Sequence, residues 1–417
     1  MSARRGMGRD FQLFFGGQIL SQLGSAVTVL LLPIIVFQLT GSALNLGITA
    51  AAEYVPYLLF GLVIGAYVDR LPRRPLMLAS DIARAAVIGS VPLLSALHTL
   101  PVWWIYVVAF LGTTLAICFD TAEVAAIPAV VPAADLVEAN GRVQAAYSAT
   151  GVVGPMLGGA LLTLVSAESV LLIDTVSFLA SAATLALVRT SFDPAERRRR
   201  TRVRDDITEG LRFVLGNPVL RTISIMMALI NIVTSSAFAQ LVLFSKHHLD
   251  ATDFQVGILF AAGSFGVVVF GVLAGRIRRT FSFSQAILGA LILDGLLIAL
   301  FGICPYFPLS VALWATASGA GIFFNINTRS LRQLITPPEM LGRVMSIASV
   351  LAWSAIPVGT IAGGALVSAG LPVADLYVGM GILAALIAAL FILSPLGHAD
   401  RYVPTTREQK ARASAAA

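Results

Sequence analysis

The chain has 417 residues, of which 57% are hydrophobic and 12% charged, with a formal net charge of +6. A soluble globular domain carries about 25% charged residues, so this composition excludes an ordinary soluble domain and favours a chain that lies in lipid. The basic excess does not indicate nucleic-acid binding, because the Lys and Arg residues lie in short segments between apolar runs and no separate polar domain carries them.

The sequence contains twelve apolar segments, each long enough to cross a hydrocarbon core of roughly 30 Å as a helix. Alternation of apolar and polar residues does not recur, which argues against a membrane β-barrel. Because lipid offers no partners for backbone N–H and C=O groups, we predict an all-α integral membrane protein. The first segment is too long for the apolar part of a signal peptide, so we expect it to be retained. The predicted helices cover residues 11–39, 46–68, 75–97, 102–130, 143–165, 170–188, 219–244, 254–275, 282–303, 309–329, 344–369 and 376–393.

The basic residues lie almost entirely on one side of this predicted topology. Of the 28 Lys and Arg residues, all but Lys246 lie in, or closely flank, the two termini and the loops that follow even-numbered helices. The positive-inside rule therefore predicts that both termini are cytoplasmic. The chain has two cysteines, Cys118 inside a helix and Cys304 beside an outer loop, and two residues so placed make no disulfide framework.

The sequence repeats itself between its two halves. The motif Gly154-Pro155-x-x-Gly158-Gly159 recurs 205 residues later, with threonine in place of the proline. We therefore predict two six-helix halves in the same orientation, related by an axis along the membrane normal. The predicted division is residues 1–188 for the first half, 189–218 for a basic cytoplasmic linker, 219–395 for the second half and 396–417 for a polar cytoplasmic tail.

A basic loop connects predicted helices 2 and 3 and reads Gly65-x-x-x-Asp69-Arg70-x-x-Arg73-Arg74. A carboxylate such as Asp69 at a helix end can pair with an arginine or face a helix N-terminus, for about 0.3–1 kcal/mol when exposed. Contacts of that size shift an equilibrium between two conformations without freezing it. The alternative is a tight basic turn that serves topology alone.

This loop resembles the signature loop of the Major Facilitator Superfamily, a family of transporters with two parallel six-helix halves. The resemblance implies that the loop latches the halves together on the cytoplasmic side, with Asp69 near Arg343 at the start of helix 11. In the next helix, Asp81 and Arg84 lie three residues apart, and we expect an ion pair that supports the latch.

A second copy of the loop follows predicted helix 8 and reads Gly271-x-x-x-Gly275-Arg276. Glycine stands where the first copy has aspartate, so this copy keeps positive charge but lacks the acceptor. We expect the two cytoplasmic latches to be unequal.

The motif Gly154-Pro155-x-x-Gly158-Gly159 in predicted helix 5 resembles one of twelve-helix drug:proton antiporters, which implies export. Small residues also let helices approach closely, so generic helix packing is an alternative. Other segments resemble the branch that contains bacterial macrolide-efflux proteins and the enterobactin exporter, which implies a bacterial inner-membrane location. Predicted helix 4 lacks the arginine that many drug:proton antiporters carry there, which leaves the coupling mechanism open.

Five carboxyl groups lie inside predicted helices, where a charge costs at least about 2.5–3.5 kcal/mol on insertion scales. A buried carboxyl can take up and release a proton, which a proton-coupled exporter requires. Glu53 in helix 2 is the leading candidate. For Asp120 and Glu123 the alternative is a structural cluster with Arg142. For Asp174 it is a local cap or pair, and for Asp294 it is a bond to a neighbouring helix. The candidates are Glu53, Asp120, Glu123, Asp174 and Asp294.

Uncharged polar residues in predicted helices 1, 7 and 10 are candidates for a cavity lining, because the resemblance places those helices around the substrate path. An apolar cavity with few polar anchors suits a bulky lipophilic substrate. Each of these residues can equally join two helices. The candidates are Gln18, Gln22, Asn231, Gln240 and Asn325.

The sequence therefore predicts a secondary transporter, namely a proton-coupled exporter of a lipophilic drug-like, macrolide-like or siderophore-like molecule. Transport of a lipid or dedicated metabolite, and a sensor or scaffold without transport, are the open alternatives. No G-x-x-x-x-G-K-[ST], H-E-x-x-H or G-x-S-x-G motif occurs, which argues against an ATP-driven pump and an enzyme. We expect no cofactor or metal, and we expect a monomer whose partners are the lipid bilayer, the substrate and protons.

Overall fold

The computed structural model describes residues 8–68, 71–131, 136–190, 192, 203–337 and 340–402. Within these ranges the chain forms fifteen α-helices and a closing 3-10 helix, and no strand. The helices are α1 Arg9–Thr40, α2 Ala43–Val68, α3 Arg73–Ala96, α4 Val102–Val130, α5 Leu136–Leu161, α6 Ala167–Leu187, α7 Val203–Gly216, α8 Pro218–Ala239, α9 Leu241–His248, α10 Asp253–Arg278, α11 Phe283–Ile303, α12 Phe307–Ile335, α13 Leu341–Trp353, α14 Ile356–Ser368, α15 Val373–Phe391 and the 3-10 helix Pro395–Tyr402.

Eleven stretches of the described helices are long and apolar enough to cross a membrane. The predicted span missing from that set is α5, which has 26 residues but carries five glycines and several polar side chains. Helix α5 packs along α1 and α10, so small and polar residues there face neighbouring helices and not lipid tails. With α5 included, the structure contains all twelve predicted membrane helices.

Local sequence signals account for several helix ends. Gly41 ends α1 with a φ of 59°, a left-handed conformation that glycine adopts without steric cost. The side chain of Asn217 caps α8 by accepting hydrogen bonds from two backbone N–H groups at 3.0 and 3.1 Å. Capping boxes begin α10 and α11, formed by Thr252 with Gln255 and by Ser282 with Gln285.

The helices form two halves with the same packing pattern. In the first half, α6 packs against α1 and α3, and in the second half α15 packs against α8 and α11. Single contacts repeat as well: Gly89 of α3 packs on Thr175 of α6, and 206 residues later Gly295 of α11 packs on Gly381 of α15. The sequence repeat therefore reflects a structural repeat, and the predicted two-half architecture is confirmed.

Two of the predicted helices are each divided in two. Predicted helix 11 becomes α13 and α14, because Pro357 has no N–H to donate to Trp353 and interrupts the hydrogen-bond ladder. Predicted helix 7 becomes α8 and α9, which meet at Gln240. The Gln240 Nε2 donates to the carbonyl of Ala43 in the other half at 2.9 Å, so this kink depends on a contact 197 residues away in sequence.

The linker between the halves contains a helix, α7, which the apolar segments do not predict. Gly210 of α7 packs closely on α13, since a Cβ at this position would lie 2.5 Å from Ile347 Cδ1. Beside it, Arg343 Nη1 and Glu209 Oε2 form an ion pair at 2.7 Å. The described part of the linker is therefore attached to the start of α13.

The apolar cores of the two halves meet at one end of the bundle. The end that holds the start of α1 and the 3-10 helix is termed the termini face, and the opposite end the far face. At the far face one apolar cluster joins both halves, from Leu30 and Ile35 of α1 to Phe244 of α9 and Tyr377 of α15. Toward the termini face, the described residues form two clusters, one in each half. The halves are therefore packed together at the far face and diverge toward the termini face.

Candidate functional site

Glu53 lies in α2, where the two halves face each other. Its side chain lines three cavities in the described part of the chain, of about 340, 200 and 170 Å³. No hydrogen bond or ion pair from another described residue reaches its carboxyl group. Glu53 is therefore a carboxyl group without a fixed partner, at the place where a molecule between the halves would lie.

Two of these cavities lie between the halves. Tyr54 and Tyr57 of α2 and Trp353 of α13 line the larger one. The rings of Tyr57 and Trp353 meet edge to face with centroids 4.7 Å apart. The other is lined by Asn231 and Phe238 of α8 together with Glu53. Aromatic rings with a few polar groups form a lining that suits a lipophilic molecule.

The third cavity lies inside the first half and joins Glu53 to two further charged residues, Arg84 of α3 and Asp174 of α6. Small residues of α4, Gly112 and Ala116, line its opposite side. Glu53 therefore connects the space between the halves with a charged cavity inside one half.

Asp174 is held in this cavity by hydroxyl groups. It is 1% exposed, and its carboxyl group accepts hydrogen bonds from Thr28 Oγ1 at 2.5 Å and from Ser177 Oγ at 3.1 Å. Gly24 of α1 makes this packing possible, because a Cβ there would lie 2.5 Å from Asp174 Oδ1. The predicted intramembrane carboxyl is thus an element of the contact between α1 and α6.

Arg84 does not form the expected ion pair with Asp81. Its Nη2 donates to Ser25 Oγ at 3.2 Å, and its guanidinium lies over the ring of Phe178, 4.0 Å from the centroid. The carboxyl group of Asp81 is buried, and its polar neighbour is the hydroxyl of Ser181 on α6. The spacing of three residues permitted the pair, but partners on α1 and α6 hold the arginine instead.

Glu123 pairs with a tyrosine. Tyr147 of α5 donates its hydroxyl to Glu123 Oε2 at 2.6 Å, and Gln22 of α1 lies beside the same hydroxyl. Asp120, three residues before Glu123 on α4, is exposed, and so is Arg142 on α5. The polar contact between α4 and α5 therefore involves Tyr147, a residue outside the predicted cluster.

The signature loop lies partly outside the described residues. Asp69 and Arg70 belong to the part that the structure does not describe, so the contact of Asp69 with Arg343 stays a prediction. Gly65 lies in α2. Glu209 of α7 is an acceptor for Arg343, at 2.7 Å, that the sequence did not indicate.

The two arginines that end the signature loop bind carbonyls at the end of α6 and in the segment that follows it. Arg73 Nη1 donates to the carbonyl of Phe192 at 2.9 Å. Arg74 donates from Nε to the carbonyl of Leu185 at 3.2 Å and from Nη2 to the carbonyl of Ala186. Carbonyls at a helix C-terminus lack intrahelical donors and favour positive charge, so Arg74 ties α3 to the end of α6. Arg73 ties α3 to the segment after that helix.

The second-half copy of the loop makes fewer contacts. A Cβ at Gly271 or Gly275 of α10 would meet no atom within 4 Å. Arg276 is exposed in the last turn of α10, and Arg278 lies over the ring of Phe283, 3.7 Å from the centroid. This copy therefore holds positive charge at the start of α11 without a close helix approach.

The glycines of the antiporter-type motif lie at close contacts of α5. A Cβ at Gly154 would lie 2.5 Å from the Cβ of Ala26 in α1. A Cβ at Gly159 would lie 3.2 Å from the Cα of Gly257 in α10, which belongs to the other half. The motif therefore joins α5 to both halves near the far face. Its other members, Pro155 and Gly158, are buried in the same helix.

Several other predicted polar residues bond to backbone groups. Asn231 lines a cavity and also donates to a carbonyl of α13 at 2.7 Å, and Gln240 joins the halves as described above. Asn325 is exposed and bonds one turn back in its own helix at 2.9 Å. Gln18 is 3% exposed, and its Oε1 has no partner. Asp294 is buried in α11 and does not line the three cavities.

The connection between α9 and α10 shows no metal-binding arrangement. Lys246 pairs with Asp253 at 2.6 Å, and the ring of His247 packs edge on against Phe37 of the other half with centroids 5.6 Å apart. Across the described residues, no group of three His, Cys, Asp or Glu side chains could hold a metal ion.

The aromatic residues of the site are absent from the residues predicted from the sequence. Tyr57 could have been found, because it lies four residues after Glu53 and so shares its helix face. Trp353 gives no such local signal, since its contact with α2 depends on how the halves pack. Tyr147 likewise becomes recognisable only when α4 and α5 are in place.

Comparison with known proteins supplies the relatives of this chain. A family model described as Major Facilitator Superfamily matches residues 14–354. The chain is similar to the multidrug efflux pump Tap of Mycolicibacterium fortuitum, with 28% identity over 88% of this chain and 92% of that protein. It is similar to macrolide efflux protein A of Streptococcus pyogenes, with 25% identity over 84% of this chain and 87% of that protein.

Solved structures match the whole fold at low sequence identity. A bacterial homologue of the human lysosomal transporter Spinster, in an inward-facing and occupied conformation, matches with a TM-score of 0.74 and 12% identity over 95% of this chain and 98% of that chain. The nucleoside transporter NupG also matches with a TM-score of 0.74, at 11% identity over 92% of this chain and 98% of that chain. These likenesses establish the fold alone.

Proposed function

The chain belongs to the Major Facilitator Superfamily, and from that premise we propose that it is a proton-coupled exporter of lipophilic drugs in which Glu53 takes up the coupling proton. Family membership makes the chain a membrane transporter of small molecules and not an enzyme. Its relatives, a multidrug efflux pump and a macrolide efflux protein, support a drug as the exported molecule.

The position of Glu53 is the observation that carries this proposal. Its carboxyl group faces both cavities between the halves and has no fixed partner. Closing the halves over an ionised carboxyl would enclose a charge among aromatic rings, which is costly. A proton or a bound substrate removes that cost, so either one shifts the balance between the open and closed conformations.

Asp174 is the second carboxyl that we assign to proton transfer, because it shares the third cavity with Glu53. Glu123, Asp120, Asp81 and Asp294 do not line the three described cavities. We assign none of these four to coupling, and Glu123 joins α4 to α5 through Tyr147.

We assign the termini face to the cytoplasm. The described arginines Arg73, Arg276 and Arg343 lie on that side, at the start of α3, the end of α10 and the start of α13, and the positive-inside rule favours the cytoplasm for such residues. In this orientation the structure corresponds to a state that is sealed toward the outside and has its halves apart toward the cytoplasm. A substrate would enter the space beside Glu53 from the cytoplasm or from the adjoining lipid.

Efflux from a drug-sensitive bacterial host tests the proposal. Cells carrying the chain are loaded with a panel of lipophilic antibiotics and dyes, and efflux is followed with and without a protonophore. We expect protonophore-sensitive efflux of at least one compound. Glu53→Gln should lower its rate at least tenfold, whereas Glu168→Gln in the first turn of α6, outside the three cavities, should keep the rate within twofold.

Two results would contradict the proposal. Efflux that persists with a protonophore would remove the proton coupling, and Glu53→Gln with normal efflux would remove the role of Glu53. If a correctly inserted protein moves none of the compounds, drug export is the wrong function, and the membrane-transporter assignment still stands on the family.

A further inference from the structure

A buried arginine in the second half has no role in the proposed transport path. Arg332 lies in the last turn of α12 and is 5% exposed. Thr328 and Thr336 lie one turn before and one turn after it, and they are 1% and 4% exposed. Thr328 lies on the same face of α12 as Arg332. Thr336 is the C-cap residue that follows the helix, and its backbone N–H donates to the carbonyl of Arg332 at 3.1 Å, so the three residues lie together at this end of α12.

The hydrogen-bond donors at this end of α12 lack good acceptors. Arg332 Nη2 donates to the thioether of Met227 at 3.1 Å, and a thioether is a weak acceptor. Arg332 Nε and the hydroxyl groups of both threonines are buried without a partner. By contrast, Thr222 of the same half bonds to the carbonyl one turn earlier at 2.7 Å, as helical threonines commonly do.

Among the described residues, no carboxylate forms an ion pair with Arg332. The described ion pairs of the second half are Lys246 with Asp253 and Arg343 with Glu209. The apolar cluster around α12 includes Met227 of α8, Leu291 of α11 and Ile347 of α13. A buried charge without a counter-charge is strongly destabilising, and the partial negative charge at the end of α12 offsets only a small part of that cost.

We propose that this end of α12 binds a small inorganic anion beside the Arg332 guanidinium, with chloride as the ligand in the cell. The guanidinium N–H and the hydroxyls of Thr328 and Thr336 supply donors, and an anion supplies the missing acceptor and counter-charge. Because all three side chains are buried, the ligand is a single atom or a similarly small ion. A lipid phosphate group is too large and would keep its donors at the membrane surface.

The equivalent positions in the first half show why that half needs no such ion. Helices α4 and α12 are both 29 residues long and correspond at an offset of 205 residues. Glu123 occupies the position equivalent to Thr328, and Ile127 the position equivalent to Arg332. The first half thus has a carboxylate that accepts from Tyr147, whereas the second half has a cation without an acceptor. The anion site is independent of the proposed drug export.

Thermal unfolding of the purified full chain in detergent tests the site. Unfolding is followed by tryptophan fluorescence in sodium chloride and in sodium gluconate at equal concentrations. We expect chloride to raise the midpoint by about 2–4 °C in a saturable manner, because a ligand that binds only the folded state stabilises it. Arg332→Gln should abolish this shift. Arg329→Gln, which removes an exposed arginine of the same helix, should retain it.

A second variant keeps the test decisive if Arg332→Gln does not fold. Arg332→Met replaces the charge by an apolar side chain of similar length and should be at least as stable as the wild type in gluconate. It should show no response to chloride. Bromide in place of chloride should give an anomalous scattering peak beside Arg332 in crystals of the wild type.

Equal midpoints of the wild type in the two salts would overturn the proposal and leave buried water as the partner of these donors. A full chloride shift in Arg332→Met would also overturn it, because the anion would then bind elsewhere.

Discussion

Glu53 differs from Asp174 and Glu123 in the freedom of its carboxyl group. Thr28 and Ser177 hold Asp174, and Tyr147 holds Glu123, whereas Glu53 faces open space on three sides. A group that must take up a proton in one conformation and release it in another needs access to that space in both. We therefore assign the uptake of the coupling proton to Glu53, which has no fixed hydrogen bonds, and Asp174 is the secondary group that shares one of its cavities.

Asp400 offers a prediction at the termini face, outside the membrane spans. Burial alone would raise the pKa of Asp400. Its carboxylate accepts hydrogen bonds from the N–H groups of Phe283 and Ser284, at 2.8 and 3.2 Å, and from the Ser284 hydroxyl. These hydrogen bonds outweigh burial, so the pKa lies below its ordinary value. The resulting stability is present above the unfolded-state pKa of about 3.9 and is lost as the pH falls through the lower folded-state pKa.

We therefore expect Asp400→Ala to lower the stability at pH 7 by about 1 kcal/mol, the usual contribution of a helix cap. The difference from the wild type should shrink as the pH falls from 5 to 3. Thermal unfolding at several pH values measures this, with Asp375→Ala, an exposed carboxyl in the first turn of α15, as the control. A difference that is constant across this range would show that the carboxylate charge contributes nothing.

The sequence predicts functional residues in two situations: where their contacts are with neighbours in the chain, and where a charged residue lies in a membrane helix. Glu53 and Asp174 stand out because carboxyl groups are rare in apolar segments. The pairing of Arg84 could not be predicted, because Ser25 and Phe178 on two other helices compete with Asp81. Arg332 was not identified, since its proximity to a helix end resembles ordinary topology signals.

Helices were predictable to within a few residues where their ends carry local signals, as at Gly41 and Asn217. The kink at Gln240 was not, because a carbonyl of the other half fixes it. The 3-10 helix Pro395–Tyr402 was expected to be part of a polar tail, yet Leu396 and Ala399 are buried there against the second half. An amphipathic element of this size becomes recognisable only when its packing surface is known.

The contact between α2 and α14 gives a prediction at the level of helices. A Cβ at Gly47 would lie 2.3 Å from the carbonyl oxygen of Thr360, so a larger side chain cannot fit while the far face is sealed. Gly47→Val should shift the protein toward a conformation open at the far face. Labelling of a cysteine introduced at Thr360 by a membrane-impermeant reagent should become at least fivefold faster.

Gly61→Val is the matched control, because it lies in the same helix and a Cβ there meets no atom within 4 Å. It should leave the labelling rate unchanged. Equal rates in Gly47→Val and the wild type would mean that the backbone of α2 or α14 shifts to accommodate the side chain.

At the scale of the whole molecule, the two halves share one fold but differ in charge. The first half contains the carboxyl groups at its core, together with Arg84, and the second half contains Arg332 and Asp294. Internal repetition accounts for the common helix packing, including the repeated contacts of Gly89 and Gly295. Internal repetition does not determine which charged residues each half contains. The sequence repeat therefore predicts the architecture, whereas the functional site must be assigned residue by residue.

Transport by alternating access requires the far face to open, and a covalent link across it tests this requirement directly. The backbone N–H of Leu44 donates to Ser368 Oγ at 3.1 Å, so α2 and α14 lie close together at these two positions. In a chain with Cys118 and Cys304 replaced by serine, the pair Leu44→Cys and Ser368→Cys should form a disulfide under mild oxidation. Efflux should then fall by more than tenfold and return when a reductant is added.

Each single cysteine variant should keep normal efflux under oxidation, which separates the effect of the link from that of the substitutions. Because Leu44 and Ser368 lie far from Glu53 along α2 and α14, a loss of efflux cannot come from damage to the cavity. Full efflux with the disulfide in place would mean that substrate leaves without separation of α2 from α14. The sealed far face would then be a fixed part of the bundle, and the exit path would have to run between other helices.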